Sequence, residues 1–202
     1  MALQLASKVT KKGDLFMIKN YKEQLIVKEW MVEALLKLMV QKNYDDITIT
    51  EIAKTAGVNR MTYYRNYATK DDILKKYAED LSQELTQFIK KAKVKDEKGF
   101  LRCLFLFVKG QDTYVQTLIR NHKESLILDV INQNIGQLQL NPQDLIVVRY
   151  YAGGTYNVLL SWCKDSYRDN IDSMVSAILD HADAKVIQTK AKSYIKAFNK
   201  LD

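Results

Sequence analysis

The chain has 202 residues, of which 47% are hydrophobic and 27% charged, proportions that exclude an intrinsically disordered chain. Its seven glycines and one proline are too few for the many tight turns of a β-sandwich or barrel, so we expect an all-α fold. The net charge of +7 is moderate, which makes the local clusters of charge more informative than the total.

Residues 1–20 are predicted to form a polar N-terminal extension with a turn at Gly13 and Asp14. From about Tyr21 to Lys42 the sequence predicts a long helix, because apolar residues recur at intervals of three and four. These residues are Val27, Met31, Leu35, Leu38 and Met39. We expect this stripe to pack in a core rather than against a membrane or a partner, and Asn43 to follow the helix in the left-handed conformation.

Two short helices are predicted next, joined by a turn at Gly57. Thr48 and Glu51 fit a capping box at the start of the first helix, and Asn59 is expected to cap the second helix, which ends near Tyr67. This arrangement is a helix-turn-helix. Because helices of this length are not stable alone, they must share a core. We expect that core to contain Ile49, Ile52, Ala53, Val58, Tyr63 and Tyr67.

The second short helix is expected to present hydrogen-bond donors outward. Its outward residues are Arg60, Met61, Thr62, Tyr64, Arg65 and Asn66. Guanidinium, hydroxyl and amide groups suit the phosphates and base edges of DNA. The segment Lys54–Lys70 contains four basic residues and no acidic residue, which also favours a nucleic-acid partner.

A third helix is predicted from Thr69 to about Lys91, and the remaining residues, about 97–202, read as a second all-helical unit. Its helices are expected near residues 100–109, 112–121, 123–138, 141–164 and 170–180, followed by a tail. Asn141 and Pro142 fit the cap and the first position of the fourth of these helices.

The segment Ile47–Leu74 resembles the DNA-binding domain of TetR/AcrR-type transcriptional regulators. Ile52–Val58 fits the family pattern I-A-x-x-A-G-V, and Thr62–Tyr67 fits T-x-Y-x-x-F with tyrosine at the last position. Lys70 follows at the spacing of x-K-x-x-L. The resemblance implies a sequence-specific DNA-binding regulator.

The resemblance also implies a division of the chain into domains. A three-helix DNA-binding domain is expected over residues 21–91, with its helix-turn-helix motif over 48–67. A helical regulatory and dimerisation domain is expected over residues 92–202.

Roles in DNA binding follow from the resemblance, residue by residue. Contacts to backbone phosphate are implied for Thr48, Thr50, Tyr64 and Lys70. Positions at or near the bases are implied for Arg60, Met61 and Thr62, with Arg65 and Asn66 beside them. Met61 stands where the family usually has a small residue. It therefore keeps an alternative open, a TetR-like co-regulator that binds another protein and has no operator or ligand of its own.

Lysines outside the motif are further candidates for contacts with DNA. In the extension they are Lys8, Lys11, Lys12 and Lys19. The tail has five lysines and no acidic residue between positions 185 and 200. We interpret this tail as a solvated surface, with an auxiliary phosphate contact as the alternative.

A homodimer interface is predicted in the helix over residues 141–164. A coiled-coil-like seam is formed by Leu145, Val148, Ala152, Thr155, Leu159 and Trp162. Gly153 and Gly154 would let a partner helix approach closely. Together with Met174 and Ile178, the seam would form a four-helix bundle across a two-fold axis and so match a palindromic operator. The alternative is a helix internal to the bundle of one protomer.

The resemblance further implies a small-molecule inducer that releases a repressor from DNA. Candidate pocket residues, chosen because pockets favour aromatic and a few polar groups, are Arg102, Cys103, Phe107, Tyr114, Arg120, Tyr151, Tyr156 and Trp162. No cofactor and no metal is expected.

Several other classes of protein are excluded by what the sequence lacks. Cys103 and Cys163 lie 60 residues apart with two histidines in the whole chain, which excludes a disulfide framework or a zinc site. We expect both cysteines to be buried, with redox sensing as the alternative. No nucleophile–base pair or phosphate-binding glycine loop can be assembled, so an enzyme is not expected. With no signal peptide and no apolar run of 18 residues, we expect a cytoplasmic protein without a membrane partner.

Overall fold

The computed structural model describes the backbone of residues 12–181 and the side chains of residues 25–180. Over these residues the fold is all-α, as predicted, with nine α-helices and one short 3-10 helix. The chain divides by packing into two compact units, one up to Leu74 and one from Lys75. The predicted boundary after residue 91 divides the chain by function, into a DNA-binding and a regulatory domain, and it stays a prediction.

The first helix, α1 (Lys12–Gln41), begins well before the predicted start at Tyr21. Gly13 and Asp14 therefore lie in its first turn, and the predicted turn at these residues is wrong. A glycine costs a helix only about 1 kcal/mol relative to alanine, which is too little to end a helix of 30 residues. Residues 1–11, including Lys8 and Lys11, and the side chains of Lys12 and Lys19 lie outside the described part.

A 3-10 helix, η1 (Tyr44–Asp46), follows α1 directly. Its N-cap is Asn43, with φ −58° and ψ 140°, so the predicted left-handed conformation of Asn43 is wrong. The chain enters a new helical turn at this point, and an extended cap residue is what that turn requires.

The helix-turn-helix consists of α2 (Ile49–Thr55) and α3 (Arg60–Asn66), followed by α4 (Lys70–Lys91). In the first unit α1 packs on α2, and α2 packs on α3. The predicted core is confirmed in its main part, since the following residues are buried: Met31, Leu35, Leu38, Met39, Ile52, Ala53, Tyr63 and Tyr67. Three further predicted members are half-buried: Val27, Ile49 and Val58.

The second unit contains five further helices, close to the predicted segments. They are α5 (Glu97–Gly110), α6 (Asp112–Arg120), α7 (Ser125–Gly136), α8 (Pro142–Lys164) and α9 (Ile171–His181). Asn141 caps α8, and Pro142 occupies its start as predicted. In this unit α9 packs on α5, while α8 packs on both α6 and α7. The lysine-rich tail over residues 185–200 lies outside the described part.

Two residues of the predicted dimer seam on α8 are buried within their own protomer, Leu159 with 8% and Trp162 with 2% of the surface exposed. The seam stays a prediction. The other seam residues on α8 are half-buried: Leu145, Val148, Ala152 and Thr155. Met174 and Ile178 on α9 are half-buried as well. A heptad pattern identifies residues that share a helix face, and that pattern is the same whether the face packs within or between protomers.

The candidate pocket residues differ widely in exposure and make contacts with different neighbours. Cys103, Tyr114, Tyr156 and Trp162 are buried, Phe107 and Tyr151 half-buried, and Arg102 and Arg120 exposed. Tyr114 packs edge-on against Tyr77 at a ring distance of 4.8 Å. Arg102, one of the two candidate arginines, forms an ion pair with Asp172 on α9. The inducer site stays a prediction.

The structure bears on the cysteines and on possible membrane-spanning helices. Both cysteines are buried and free, as expected. No helix within the described range has the length and apolar character needed to cross a membrane.

Candidate nucleic-acid interface

The start of α2 is fixed by a reciprocal capping box between Thr48 and Glu51. The Thr48 hydroxyl oxygen accepts a hydrogen bond from the Glu51 backbone N–H at 3.2 Å. The Glu51 carboxylate accepts from the Thr48 backbone N–H at 2.9 Å and from its hydroxyl at 2.8 Å. Thr48 and Thr50 are both exposed at this end of the helix. The predicted capping box is confirmed, and it uses the Thr48 hydroxyl proton within the protein.

Lys42 adds an ion pair to this cap. Its Nζ donates to both carboxylate oxygens of Glu51, at 2.7 and 2.8 Å. The hydrogen bonds from Lys42 and from the backbone and side chain of Thr48 lower the pKa of the Glu51 carboxyl from 4.5 to about 2. The role of Lys42 could not be predicted from the sequence, because a contact between residues nine positions apart has no signature in helical spacing.

The turn between α2 and α3 depends on a left-handed glycine. Gly57 has φ +68°, and the Val58 backbone N–H returns to the Ala53 carbonyl at 2.9 Å. Non-glycine residues adopt this conformation at a cost of about 1 kcal/mol or more. Asn59 then caps α3, since its side-chain oxygen accepts from the Thr62 backbone N–H at 2.8 Å. Both predicted helix ends are confirmed.

Helix α3 has an inner face and an outer face, as the sequence predicted. Tyr63 is 0% exposed, and burial, followed by the nearby charge of Asp72, raises the pKa of its hydroxyl to about 12. On the outer face Met61 is 63% exposed and Tyr64 49% exposed, and both arginines of α3 are exposed as well. The short helix therefore offers two guanidinium groups, an aromatic ring and a thioether to the solvent.

Thr62 and Asn66, predicted to reach DNA, are half-buried and take part in hydrogen bonds inside α3. The Thr62 hydroxyl donates to Asn59 Oδ1 at 3.0 Å. Asn66 Nδ2 donates to the Thr62 carbonyl oxygen at 2.7 Å. Each bond uses one donor of its side chain, and the predicted contacts of Thr62 and Asn66 with DNA stay predictions.

Lys70 lies at the start of α4, where the Thr69 hydroxyl accepts from the Asp72 backbone N–H at 3.2 Å. Its Nζ donates to the carbonyl oxygens of Tyr44 at 2.7 Å and Ile47 at 2.8 Å, with Asp45 at 3.4 Å. An ammonium group has three donors, and here all three point to backbone oxygens. The same ammonium group is the one for which the family resemblance implies a contact with phosphate.

The exposed surface over residues 54–70 is suited chemically to a polyanion. Lys54, Arg60 and Arg65 are exposed, and no acidic residue occurs between Lys54 and Lys70. Positive charge of this kind supplies most of the sequence-independent affinity of a protein for DNA. Arginine and the neighbouring polar groups can read base edges.

Comparisons with known proteins give the following matches. Residues 31–77 match the family model described as bacterial regulatory proteins, tetR family. Among solved structures, the chain is similar to a dihydroxyacetone kinase operon activator, DhaS, with 16% identity, a TM-score of 0.48, and coverage of 80% of this chain and 97% of that chain. It is also similar to a tetR-family transcriptional regulator from Streptomyces coelicolor, with 18% identity, a TM-score of 0.47, and coverage of 85% and 88%. No curated protein sequence matches this chain.

Proposed function

We propose that this chain, whose residues 31–77 match the tetR-family model, is a TetR-type DNA-binding regulator and a homodimeric repressor of a palindromic operator. In this proposal each protomer inserts α3 into the major groove of one half-site. A small molecule bound by the second unit releases the dimer from DNA.

The single observation that supports insertion of α3 is the division of its side chains between two faces. Tyr63 and Tyr67 anchor the helix with exposures of 0% and 5%, while Met61 and Tyr64 are 63% and 49% exposed. Arg60, which precedes them, is held beside Tyr64 by a hydrogen bond of 3.3 Å. A rigid helix with exposed donors at its N-terminal half is what base readout requires.

A dimer is supported by the face of α8 opposite the predicted seam. Ile146 is 68% exposed, Tyr150 76% and Val158 37%. Gly153 and Gly154 lie between them along the helix, and a Cβ added to either one would meet no atom within 4 Å. A glycine inside a helix costs about 1 kcal/mol relative to alanine, and packing against the described residues of the protomer does not account for it. Close approach of a second α8 does.

Regulation by a small molecule would act through α4. Helix α4 (Lys70–Lys91) is continuous across the boundary between Leu74 and Lys75. A ligand that displaces α4 in the second unit would therefore act on residues of the first unit that lie on the same helix. A thermal-shift screen of metabolites tests this step, and a screen in which no compound stabilises the protein would contradict it.

The experiment that tests the main proposal is selection of bound fragments from a random DNA library with the full chain. We expect a palindrome whose half-site centres lie about one helical turn of DNA apart or a multiple of it. Arg168→Ala, an exposed arginine of the second unit, is the matched control for Arg60→Ala. Selection with the control is expected to return the wild-type palindrome, and selection with Arg60→Ala a relaxed one.

Failure to retain any DNA at low salt would overturn this proposal. That result would favour the alternative of a co-regulator that binds a protein through the same exposed face, with Met61 at its centre. Enrichment of a single half-site without a palindrome would leave the DNA-binding function in place and contradict the dimer.

A further inference from the structure

Two adjacent residues in the first turn of α4, Lys70 and Asp71, form hydrogen bonds with the Tyr44–Ile47 segment, which precedes α2. Lys70 donates to backbone carbonyls of the Tyr44–Ile47 turn, and its Nζ lies 4.4 Å from the centre of the Tyr44 ring. The Tyr44 hydroxyl donates to Asp71 Oδ1 at 2.5 Å. Tyr44 is itself buried, with 6% of its surface exposed. We call the contacts of Lys70 and Asp71 with this turn the Lys70 clamp.

We propose that Lys70 is a positioning residue for DNA binding, which acts through the Tyr44–Ile47 turn on the start of α2, and that it is not a phosphate ligand. The proposal rests on the proposed function, since it concerns how the same protein binds DNA. It assigns to Lys70 a role that differs from the one its place in the sequence suggested.

The chemistry of the ammonium group favours this assignment. Its bonds of 2.7 and 2.8 Å to carbonyl oxygens are charge-assisted and short. The third proton points toward the Asp45 carbonyl at 3.4 Å. To reach a phosphate, the side chain would have to give up both bonds. The Tyr44 carbonyl would keep the bond from the Ile47 backbone N–H, but the part-buried Ile47 carbonyl would lose the charge-assisted bond from Lys70, and a carbonyl that loses its donor is costly. The hydrogen-bond donors of the Lys70 ammonium are thus already used by carbonyl oxygens of the protein itself.

The position of the turn explains why the clamp matters for DNA. Ile47 is followed immediately by Thr48, the N-cap of α2, and α2 packs on α3. A shift of the turn moves Thr48 and Thr50 relative to α3. Contacts near phosphates fix the register and orientation of a protein on the duplex, so such a shift would weaken binding to every sequence.

Lys70→Arg separates the two roles, because it retains the positive charge and replaces the compact ammonium by a planar fork. A phosphate ligand would tolerate this change. A clamp on convergent carbonyls would not, and we expect DNA affinity to fall about tenfold or more, as expected for the loss of one or two charge-assisted bonds. Lys75→Arg, an exposed lysine of the same helix, is the matched control and is expected to bind as the wild type does.

The salt dependence of binding gives a readout that loss of stability alone would not change. For Lys70→Gln, loss of a phosphate contact would reduce the slope of log K against log salt by about 0.9 per contact. We expect the slope to stay unchanged while the affinity falls. Tyr44→Phe, which alters no charge and removes the bond to Asp71, is expected to lower affinity with the same unchanged slope. All measurements are made at a temperature at which thermal unfolding shows each variant to be folded.

Hydrogen exchange without DNA locates the effect. The Ile47 backbone N–H donates to the Tyr44 carbonyl at 3.1 Å, and in Lys70→Arg we expect this amide to exchange faster, while the amide of Leu118 in the core of the second unit is unchanged. Wild-type protein that binds no DNA would overturn the proposed function and this proposal with it. Wild type that binds DNA, with Lys70→Arg binding equally tightly or Lys70→Gln giving a reduced slope, would overturn this proposal alone.

Discussion

Arg60 and Tyr64 form one unit on the exposed surface of α3. Arg60 Nη2 donates to the Tyr64 hydroxyl at 3.3 Å, and the guanidinium carbon lies 5.9 Å from the centre of the Tyr64 ring. The contact is worth little in stability, because both groups are in solvent. It restricts the rotamers of the arginine before DNA is bound, which reduces the entropy lost on binding.

Arg60→Ala is expected to relax the base preference at one position of each half-site. If the guanidinium reads a base edge in the major groove, its loss costs about 1–3 kcal/mol at that position and little at the others. Fluorescence anisotropy with the selected operator and its single-base variants measures this pattern. A loss of the same size for every sequence would instead identify Arg60 as a phosphate contact.

Tyr64→Phe tests whether the tyrosine acts by orienting the arginine. The substitution keeps the ring and its edge-on contact with Tyr63, at a centroid distance of 5.4 Å, and removes the hydroxyl. We expect its effect on operator affinity to be smaller in the Arg60→Ala background than in the wild type, by about 0.5 kcal/mol or more. A double-mutant cycle measures this coupling. Strictly additive effects would show that the two side chains act independently.

The helix ends of the first unit could be predicted from the sequence because capping is local. Thr48 and Glu51 are three residues apart, and Asn59 reaches the N–H of Thr62. The relevant groups are therefore neighbours in any chain that starts a helix there. The inner face of α3, with Tyr63 buried in it, could be predicted for a different reason, namely that two short helices must share a core.

The contacts that position the site could not be predicted in this way. Lys70 and Tyr44 are 26 residues apart, and Tyr44 and Asp71 are 27 apart, so their meeting depends on how the helices pack. On α8, helical periodicity correctly grouped Leu159 with Trp162. It gave no information on whether that face meets its own protomer or another.

The stability of the first unit is expected to depend on the protonation of Glu51. Its pKa is lowered from 4.5 to about 2 by Lys42 and Thr48, so the folded state binds its proton less readily than the unfolded chain does. The resulting stabilisation is present above about pH 4.5 and is lost as the pH falls toward 2. Thermal unfolding between pH 6 and 2 should therefore show a smaller decrease for Glu51→Gln than for the wild type. Identical pH dependence in the two proteins would contradict the ion pair and the cap.

Tyr63→Phe is expected to leave the protein as stable as the wild type or to stabilise it by about 1 kcal/mol. The side chain is fully buried, and its hydroxyl has no hydrogen-bond partner within the described part of the structure. Removing a buried polar group without a partner removes its desolvation penalty and preserves the packing of the ring. Urea unfolding measures the difference, and Tyr63→Ala, expected to cost about 3–5 kcal/mol, provides the contrast. A marked loss of stability in Tyr63→Phe would show that the hydroxyl is bonded.

Gly154→Leu is expected to separate the dimer without harming the protomer. A Cβ at this position meets no atom within 4 Å, and replacing a mid-helix glycine by leucine favours the helix by up to about 1 kcal/mol. In a dimer built on the exposed face of α8, the same side chain would enter the space of the partner helix. Overpacking of this kind costs about 1–3 kcal/mol for each site. A two-fold dimer contains two copies of the substituted residue, so this cost arises twice in the interface.

Sedimentation velocity and thermal unfolding together test this expectation. Gly154→Leu should sediment as a monomer and unfold at or above the temperature of a wild-type protein diluted until it is monomeric. Gly110→Leu is the matched control, because a Cβ there also meets no described atom within 4 Å and Gly110 lies on a different helix, at the end of α5. Affinity for a two-half-site operator should fall far more than affinity for one half-site, since the second contact is no longer intramolecular. A Gly154→Leu protein that remains a dimer would mean that the two copies meet elsewhere.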